Sequence, residues 1–259
     1  MGITGDGVEE AARVKARVAT PDRNVPTRNE DRCLAGWGTQ GADAMTTAHR
    51  TARAERVSAT RGAILAAAER LFAERGIASV SNRQVSEEAG QGNNAAVGYH
   101  FGTKIDLVRA IVRKHNAHVE RLCHQMVAQV GDSTDVRDWV TCLVRPLTEH
   151  LDSLGNPTWY ARFSAQLMPD PTFRDVVSGE SLTSPSLMTI IEGLERSLPD
   201  LPADVRRERF AMARLLIVHT SAQLERTLAD GGNGSDWTAT GTSLIDAITG
   251  LLLAPATTG

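Results

Sequence analysis

Between Ser81 and Lys104 the chain reads SNRQVSEEAGQGNNAAVGYHFGTK, with two short helical patterns back to back, split by Gly90-Gln91-Gly92-Asn93. An isolated helix needs roughly 12–15 residues to be even marginal in water. Neither pattern is that long, so both must be held by neighbours in a fold that makes use of short helices. Ser81-x-x-Gln84 has the form of a capping box, with Val80 and Val85 placed as its hydrophobic staple. Gly90 stops the pattern, which predicts one helix over about Asn82–Ala89 and the next over about Asn94–Tyr99. Upstream, Ile64, Leu65, Ala68, Leu71 and Phe72 follow helical spacing and end at Gly76. Downstream, Thr103-x-x-Asp106 caps a fourth helix with Ile105, Leu107, Val108, Ile111 and Val112 on its apolar side, running past His118 toward Val130.

Two short helices joined by a Gly-containing turn and braced by a preceding amphipathic helix make a helix-turn-helix. In that arrangement the second helix enters the major groove and needs only its first turns to reach base edges. The candidate DNA-contacting residues are Ser81, Asn82 and Arg83 on the bracing helix and Gln91, Gly92, Asn93, Asn94 and Ala95 at the turn. Tyr99, His100 and Lys104 follow, as groups able to reach phosphate oxygens. Short capped helices also occur in ordinary bundles, and Asn93-Asn94 reads equally as turn chemistry. Arg50, Arg53 and Arg56 form either an arm into the minor groove or a solvated tail.

Charge is unevenly placed. From Thr46 to His118 there are eleven Lys/Arg against six Asp/Glu, a net of +5, while Val119–Gly259 carries -7. Such a division fits a polyanion-binding part joined to one that avoids polyanions. Cys33, Cys123 and Cys142 are odd in number and lack C-x-x-C spacing, so a disulfide framework is not expected and a cytoplasmic setting is. There is no apolar run of bilayer length and no signal-peptide core, so no membrane association is expected.

The remaining patterns are helical: Val136–Leu151, Pro157–Leu167, Thr172–Val177, Ser186–Ser197, Ala203–Ala229 and Asp236–Ala254, with Pro146 expected to kink or divide the first. No period-two alternation is sustained, which predicts an all-α protein. The expected organisation is an unstructured extension over 1–57, a helix-turn-helix domain over 58–103, a helical domain over 104–254 and a tail over 255–259.

The run from Arg61 to His115 resembles the DNA-binding domain of the tetracycline-repressor (TetR) family of bacterial transcription regulators. Its LFAERG helix end, the AG closing the second helix, and Phe101-Gly102-Thr103-Lys104 carry the likeness. The turn Gln91-Gly92-Asn93-Asn94 departs from the family's usual form, and the span from Gly90 to Phe101 is one residue longer. The resemblance implies a homodimer on a double-stranded operator, a second helical domain that binds a small-molecule effector, and repression relieved by that effector. It also implies pairing through 203–229 and 236–254, where the internal-core reading of the same apolar residues stays open.

A pocket wall is expected from Trp139, Leu143, Trp159, Phe163, Gln166 and Leu167, an apolar set with polar anchors at Gln166 and Arg162. The plainer reading is that these aromatics fill the core and that Arg162 belongs to an ion pair. His115, His118 and His124 invite a metal but lack a matching Cys or carboxylate, so they read as a solvated helix face and no metal is expected. No catalytic motif or cofactor signature stands out, and the chain is not expected to be an enzyme. Two other readings remain: a regulator working through a protein partner without a ligand, and a helical protein in which the short pair serves only packing.

Overall fold

The computed structural model describes residues 40–93, 95–181, 183–232 and 236–256. Everything expected of residues 1–39 and of Asn94 lies outside the described residues. Ten α-helices and no strand occur among the described residues, so the fold is all-α. Nor is any helix among them long and apolar enough to cross a membrane.

Helix α1 covers Gln40–Arg75. The expected extension over 1–57 is therefore corrected from Gln40 onward. Ala, Arg and Glu between Ala48 and Ala59 are good helix formers, and adding residues to an existing helix is far easier than starting one. The absence of large apolar residues there signals exposure, not disorder, and residues 53–59 are exposed. Gly76, at φ +81°, closes α1 and donates its amide to the Phe72 carbonyl.

Helix α2 is Asn82–Glu88, and its capping box is complete: Gln84 N–H donates to Ser81 Oγ at 3.3 Å and Ser81 N–H donates to Gln84 Oε1 at 2.8 Å. Val80 and Val85 are both buried beneath it. Helix α3 is Ala96–Phe101, starting two residues later than expected, because Asn93 Oδ1 takes the Ala95 amide at 2.9 Å and so holds the turn open. Helix α4 is Lys104–Val130, with a second complete capping box between Thr103 and Asp106.

Helix α5 is Val136–Ser153, and Pro146 does not divide it. A proline forgoes one ladder bond, yet here it is buried together with Val140, Val144, Thr148 and Leu151, whose packing holds the helix together. The chain continues as α6 (Tyr160–Leu167), α7 (Pro171–Ser181), α8 (Pro185–Ser197), α9 (Ala203–Ala229) and α10 (Trp237–Leu253). The α8 and α10 starts are capped by Ser184 and Asp236. Arg209 of α9 donates to the carbonyls of Leu252, Ala254 and Pro255, placing a cation at the negative end of α10.

Two buried clusters form the core. The first joins Ile64, Leu71 and Phe72 of α1, Val85, Val97, and Leu107, Val108 and Ile111 of α4 to Leu151 of α5 and Tyr160, Phe163 and Leu167 of α6. The second gathers Cys123, Trp139, Val140, Ile190, Leu194, Ile217, Ile245 and Ile248 from α4, α5, α8, α9 and α10. Burial pushes the thiols of Cys123 and Cys142 up to about 12 and about 11.

The second cluster is tightest where α8 crosses α5. A Cβ on Gly193 would lie 2.3 Å from Cδ2 of the Trp139 indole, which is itself pinned by a 2.9 Å hydrogen bond from Nε1 to the Ser133 carbonyl. Gly193→Ala gains up to about 1 kcal/mol of helix propensity but forces the ring aside, at about 1–3 kcal/mol or more. The expected result is a lower urea midpoint with an unchanged slope.

Candidate nucleic-acid interface and its support

Helix α3 buries Ala96 and Val97, packs Phe101 partly against the core, and turns Gly98 and Tyr99 outward. Tyr99 is 81% exposed, the most exposed large hydrophobic side chain among the described residues. Gly92, Asn93 and Ala95 are also exposed. His100 is half-buried, its ring set edge-on to that of Tyr99 at 5.0 Å.

Several proposed contact residues already have structural work. Ser81 is held in the α2 cap. Asn93 caps the turn, and Gln91 Nε2 donates to the Ala89 carbonyl at 3.0 Å. Lys104 Nζ donates to the Ile77 carbonyl at 3.0 Å, tying the start of α4 to the turn after α1. An ammonium has three donors, so two remain for a phosphate. Arg83 is exposed and paired with Glu87 at 2.8 Å, a surface contact weak enough to be exchanged for another anion. Asn82 is half-buried, and its Oδ1 is buried without a partner.

What holds α3 in place was not visible in the motif. The Arg61 guanidinium lies 4.3 Å from the centroid of the Phe101 ring and donates to the His100 carbonyl, gripping the end of α3 from α1. Arg70 of α1 pairs with Glu88 at the end of α2. These partners are 39 and 18 residues apart, and no local pattern announces them.

The six expected pocket residues are not gathered in one buried cluster. Trp139 and Leu143 belong to the second cluster, whereas Trp159, Phe163 and Leu167 belong to the first. Gln166 is exposed. Phe163 stacks with Phe72 of α1, centroids 6.2 Å apart, so α6 joins α4 in closing the core under the helix-turn-helix. The reason is position: Trp139 sits in the first turn of α5, while α6 packs near its end, beside Leu151. Arg162 is not an anchor within a pocket. Its Nε donates to Glu225 Oε2 at 3.0 Å, and the same carboxylate accepts the amides of Ala161 and Arg162, so Glu225 caps α6 from α9.

His115 is not on a solvated face. It is 1% exposed, with Nε2 2.8 Å from Glu69 Oε2 and Nδ1 2.8 Å from Nε2 of His150. The signal was present: His115 continues the stripe of Val108, Ile111 and Val112 at helical spacing. His118 is half-buried, its ring 4.8 Å from that of His150, and His124 is exposed. Among the described residues no group of three or more His, Cys, Asp or Glu is arranged to hold a metal ion.

On α9 and α10, Met212, Leu215, Leu216 and Leu253 are exposed apolar side chains. An open groove of about 440 Å³ is lined by His219, Thr220, Gln223, Leu224, Thr227 and Thr240.

Residues 64–111 match the family model described as bacterial regulatory proteins, tetR family. Over 100 residues the chain is 30% identical to the probable HTH-type transcriptional regulator ArpR of Pseudomonas putida, and equally to the HTH-type transcriptional regulator TtgR from a strain of the same species. Each match covers 39% of this chain and 45% of the relative, so the chain spans under half the length of the curated relatives it matches. The solved structure of the multidrug binding protein EbrR complexed with imidazole is 22% identical, covers 76% of this chain and 97% of its own, and superposes with a TM-score of 0.45. A HlyIIR mutant protein is 16% identical, covering 73% and 94%, with a TM-score of 0.43.

Glu225 is 1% exposed. Glu225→Ala leaves the first amides of α6 and the Arg162 guanidinium without their acceptor, and breaking a buried pair from one side costs about 3–5 kcal/mol. A urea titration is expected to report that loss, with a smaller one for Glu225→Gln.

Proposed function

We propose that this chain, which belongs to the tetR family of bacterial regulatory proteins, works in the cytoplasm as a dimeric, DNA-binding transcriptional regulator, most simply a repressor released from a palindromic operator by a small molecule. The observation that carries the reading is α3: a six-residue helix, clamped at its end by Arg61 of α1, that leaves Tyr99 81% exposed inside the segment matching the family. The helix fixes itself to the core through Ala96, Val97 and Phe101, and its outer face is free to meet a base edge or a phosphate. The basic segment from Thr46 to His118 supports the same reading, because neutralising phosphates supplies most sequence-independent affinity.

The exposed Met212, Leu215, Leu216 and Leu253 support pairing of α9 and α10 with a second copy. Two half-sites one helical turn apart require such a pair. A ligand shifts the regulator only if it binds the DNA-incompetent form more tightly, since equal affinity moves nothing. The most direct route from the helical domain to the head is the Phe163–Phe72 stack together with α4. One observation favours the second reading, a regulator working through a protein partner: the aromatic residues expected to wall a ligand pocket are divided between two packed cores.

The test is binding of the purified chain to DNA from its own upstream region. Tyr99→Ala is expected to weaken binding by about 1–3 kcal/mol with the unfolding midpoint unchanged. Arg83→Ala is expected to weaken it evenly across sequences and to lower the salt slope by about 1. Full retention of affinity in the Tyr99 variant would sink the assignment of α3, and absence of salt-dependent binding would sink the function.

A further inference from the structure

Beneath the helix-turn-helix, three helices meet through a buried row of titratable groups. Glu69 comes from α1, His115 from α4 and His150 from α5, and all three are at least nine-tenths buried. The contacts run Glu69 Oε2 to His115 Nε2 at 2.8 Å, then His115 Nδ1 to His150 Nε2 at 2.8 Å. Nδ1 of His150, the last atom of the row, is buried with no hydrogen-bond partner.

The chemistry of the donors fixes where the hydrogens lie. An ionised carboxylate only accepts, so His115 carries its hydrogen on Nε2 and donates to Glu69. Nδ1 of a neutral His115 is then a lone pair, and the hydrogen in the second contact belongs to His150 Nε2. That leaves His150 Nδ1 as a bare acceptor, the milder kind of orphan.

Now add one proton. Placed on His150, it sits on Nδ1. Placed on His115 Nδ1, it makes His115 donate in both directions, so His150 accepts at Nε2 and its own hydrogen moves to Nδ1. Placed on Glu69, it is donated to His115 Nε2, and the hydrogens step along the row to the same atom. All three routes end with an N–H at a buried position that offers no acceptor, and unpaired buried N–H groups are rare because they are costly.

We propose that Glu69, His115 and His150 form a proton-sensitive latch between α1, α4 and α5, shut while His150 Nδ1 is bare and loosened when one proton is taken up. This adds acidity as an input beside the small-molecule response, and it rests on the function proposed above only for its effect on DNA.

The surroundings offer a second positive charge no relief. Lys114 of α4 already shares Glu69 at 3.5 Å, and the His118 ring lies 4.8 Å from that of His150 with the Arg121 guanidinium on its Nδ1. From α6, Tyr160 stacks on His115 at 3.7 Å. Burial, then His115 and His118, pushes His150 down from 6.5 to about 4. Burial works to raise the Glu69 carboxyl, but its hydrogen bond and charge interaction with His115, and then Lys114, hold it below its ordinary value. Because the folded value of His150 is the lower one, the opened chain binds more protons between pH 6.5 and about 4. The latch is therefore fully shut above that window and weakens as pH falls through it.

The experiment uses the intact chain, His150→Gln, whose amide keeps a donor for His115 but does not titrate, and, as a control, His124→Gln at an exposed position of α4. Between pH 7.5 and 5.0 the unfolding constant in urea is expected to rise on the order of tenfold more in the unsubstituted chain than in His150→Gln, with the control behaving like the unsubstituted chain. A ring-nitrogen NMR titration of the unsubstituted chain should show His150 still neutral where ordinary histidines are charged. Titration of His150 near 6.5, or equal pH dependence in the chain and His150→Gln, overturns the latch. With DNA from the upstream region, acidification to pH 5.5 should weaken binding by the unsubstituted chain more than by His150→Gln, and an equal loss overturns the link to the head. If that DNA is bound at no pH, the regulatory function fails while the urea and NMR results still decide the latch.

Discussion

The structure depends on the packing of Phe163 against Phe72. Helices α2 and α3 are seven and six residues long, below the length at which a helix holds itself in water. They persist because Val85 and Val97 are buried against α1 and α4. That small core is not closed by its own four helices. Tyr160, Phe163 and Leu167 of α6 complete it, so the part that faces outward is stabilised by a helix from the other part of the chain. Apolar burial stabilises by roughly 25 cal/mol per Å², and a ring the size of phenylalanine at such a joint ties the two parts into one cooperative unit.

This arrangement explains why charged side chains serve as caps inside the fold. Helix α6 begins without a side-chain cap of its own, and Glu225 supplies one from α9 while also neutralising Arg162. Glu120 of α4 does the same for α8, accepting from the hydroxyls of Ser184 and Ser186 and from the Ser186 amide. Glu180 of α7 takes Arg109 and Arg113 of α4. Helix α4 is thus bound on several sides, and a shift along it disturbs more than one cap.

How much of this could be read in the sequence follows from how local each cause is. Both capping boxes were legible because the interacting atoms are three residues apart. Glycine stops and helical stripes placed α4, α5, α8, α9 and α10 to within two residues for the same reason. The start of α1 was misplaced because its first turns carry few large apolar groups, and helix propensity there outweighs the missing stripe. The residues expected to wall a pocket fall in two clusters because which faces of α5 and α6 share a space is decided by helix crossing, which spacing does not encode. Of the contact residues at the turn, Asn93 proved to be partly turn chemistry, an alternative the residues themselves had left open, and Gln91 is likewise tied to the local backbone. Glu69 and His150 were missed outright, since no periodicity marks a hydrogen bond between positions 35 or 46 residues from His115.

Helix α1 runs unbroken from Gln40 to Arg75 and carries both Arg61, which grips the end of α3, and Glu69, which anchors the buried imidazoles. Eight residues of helix put them about 12 Å apart on one stiff rod. The rod cannot be turned or shifted at one of these positions without moving the other, so the grip on the outer helix and the seating of the inner acid share one backbone. A bend or rotation of α1 would therefore be felt at both ends of the segment between them.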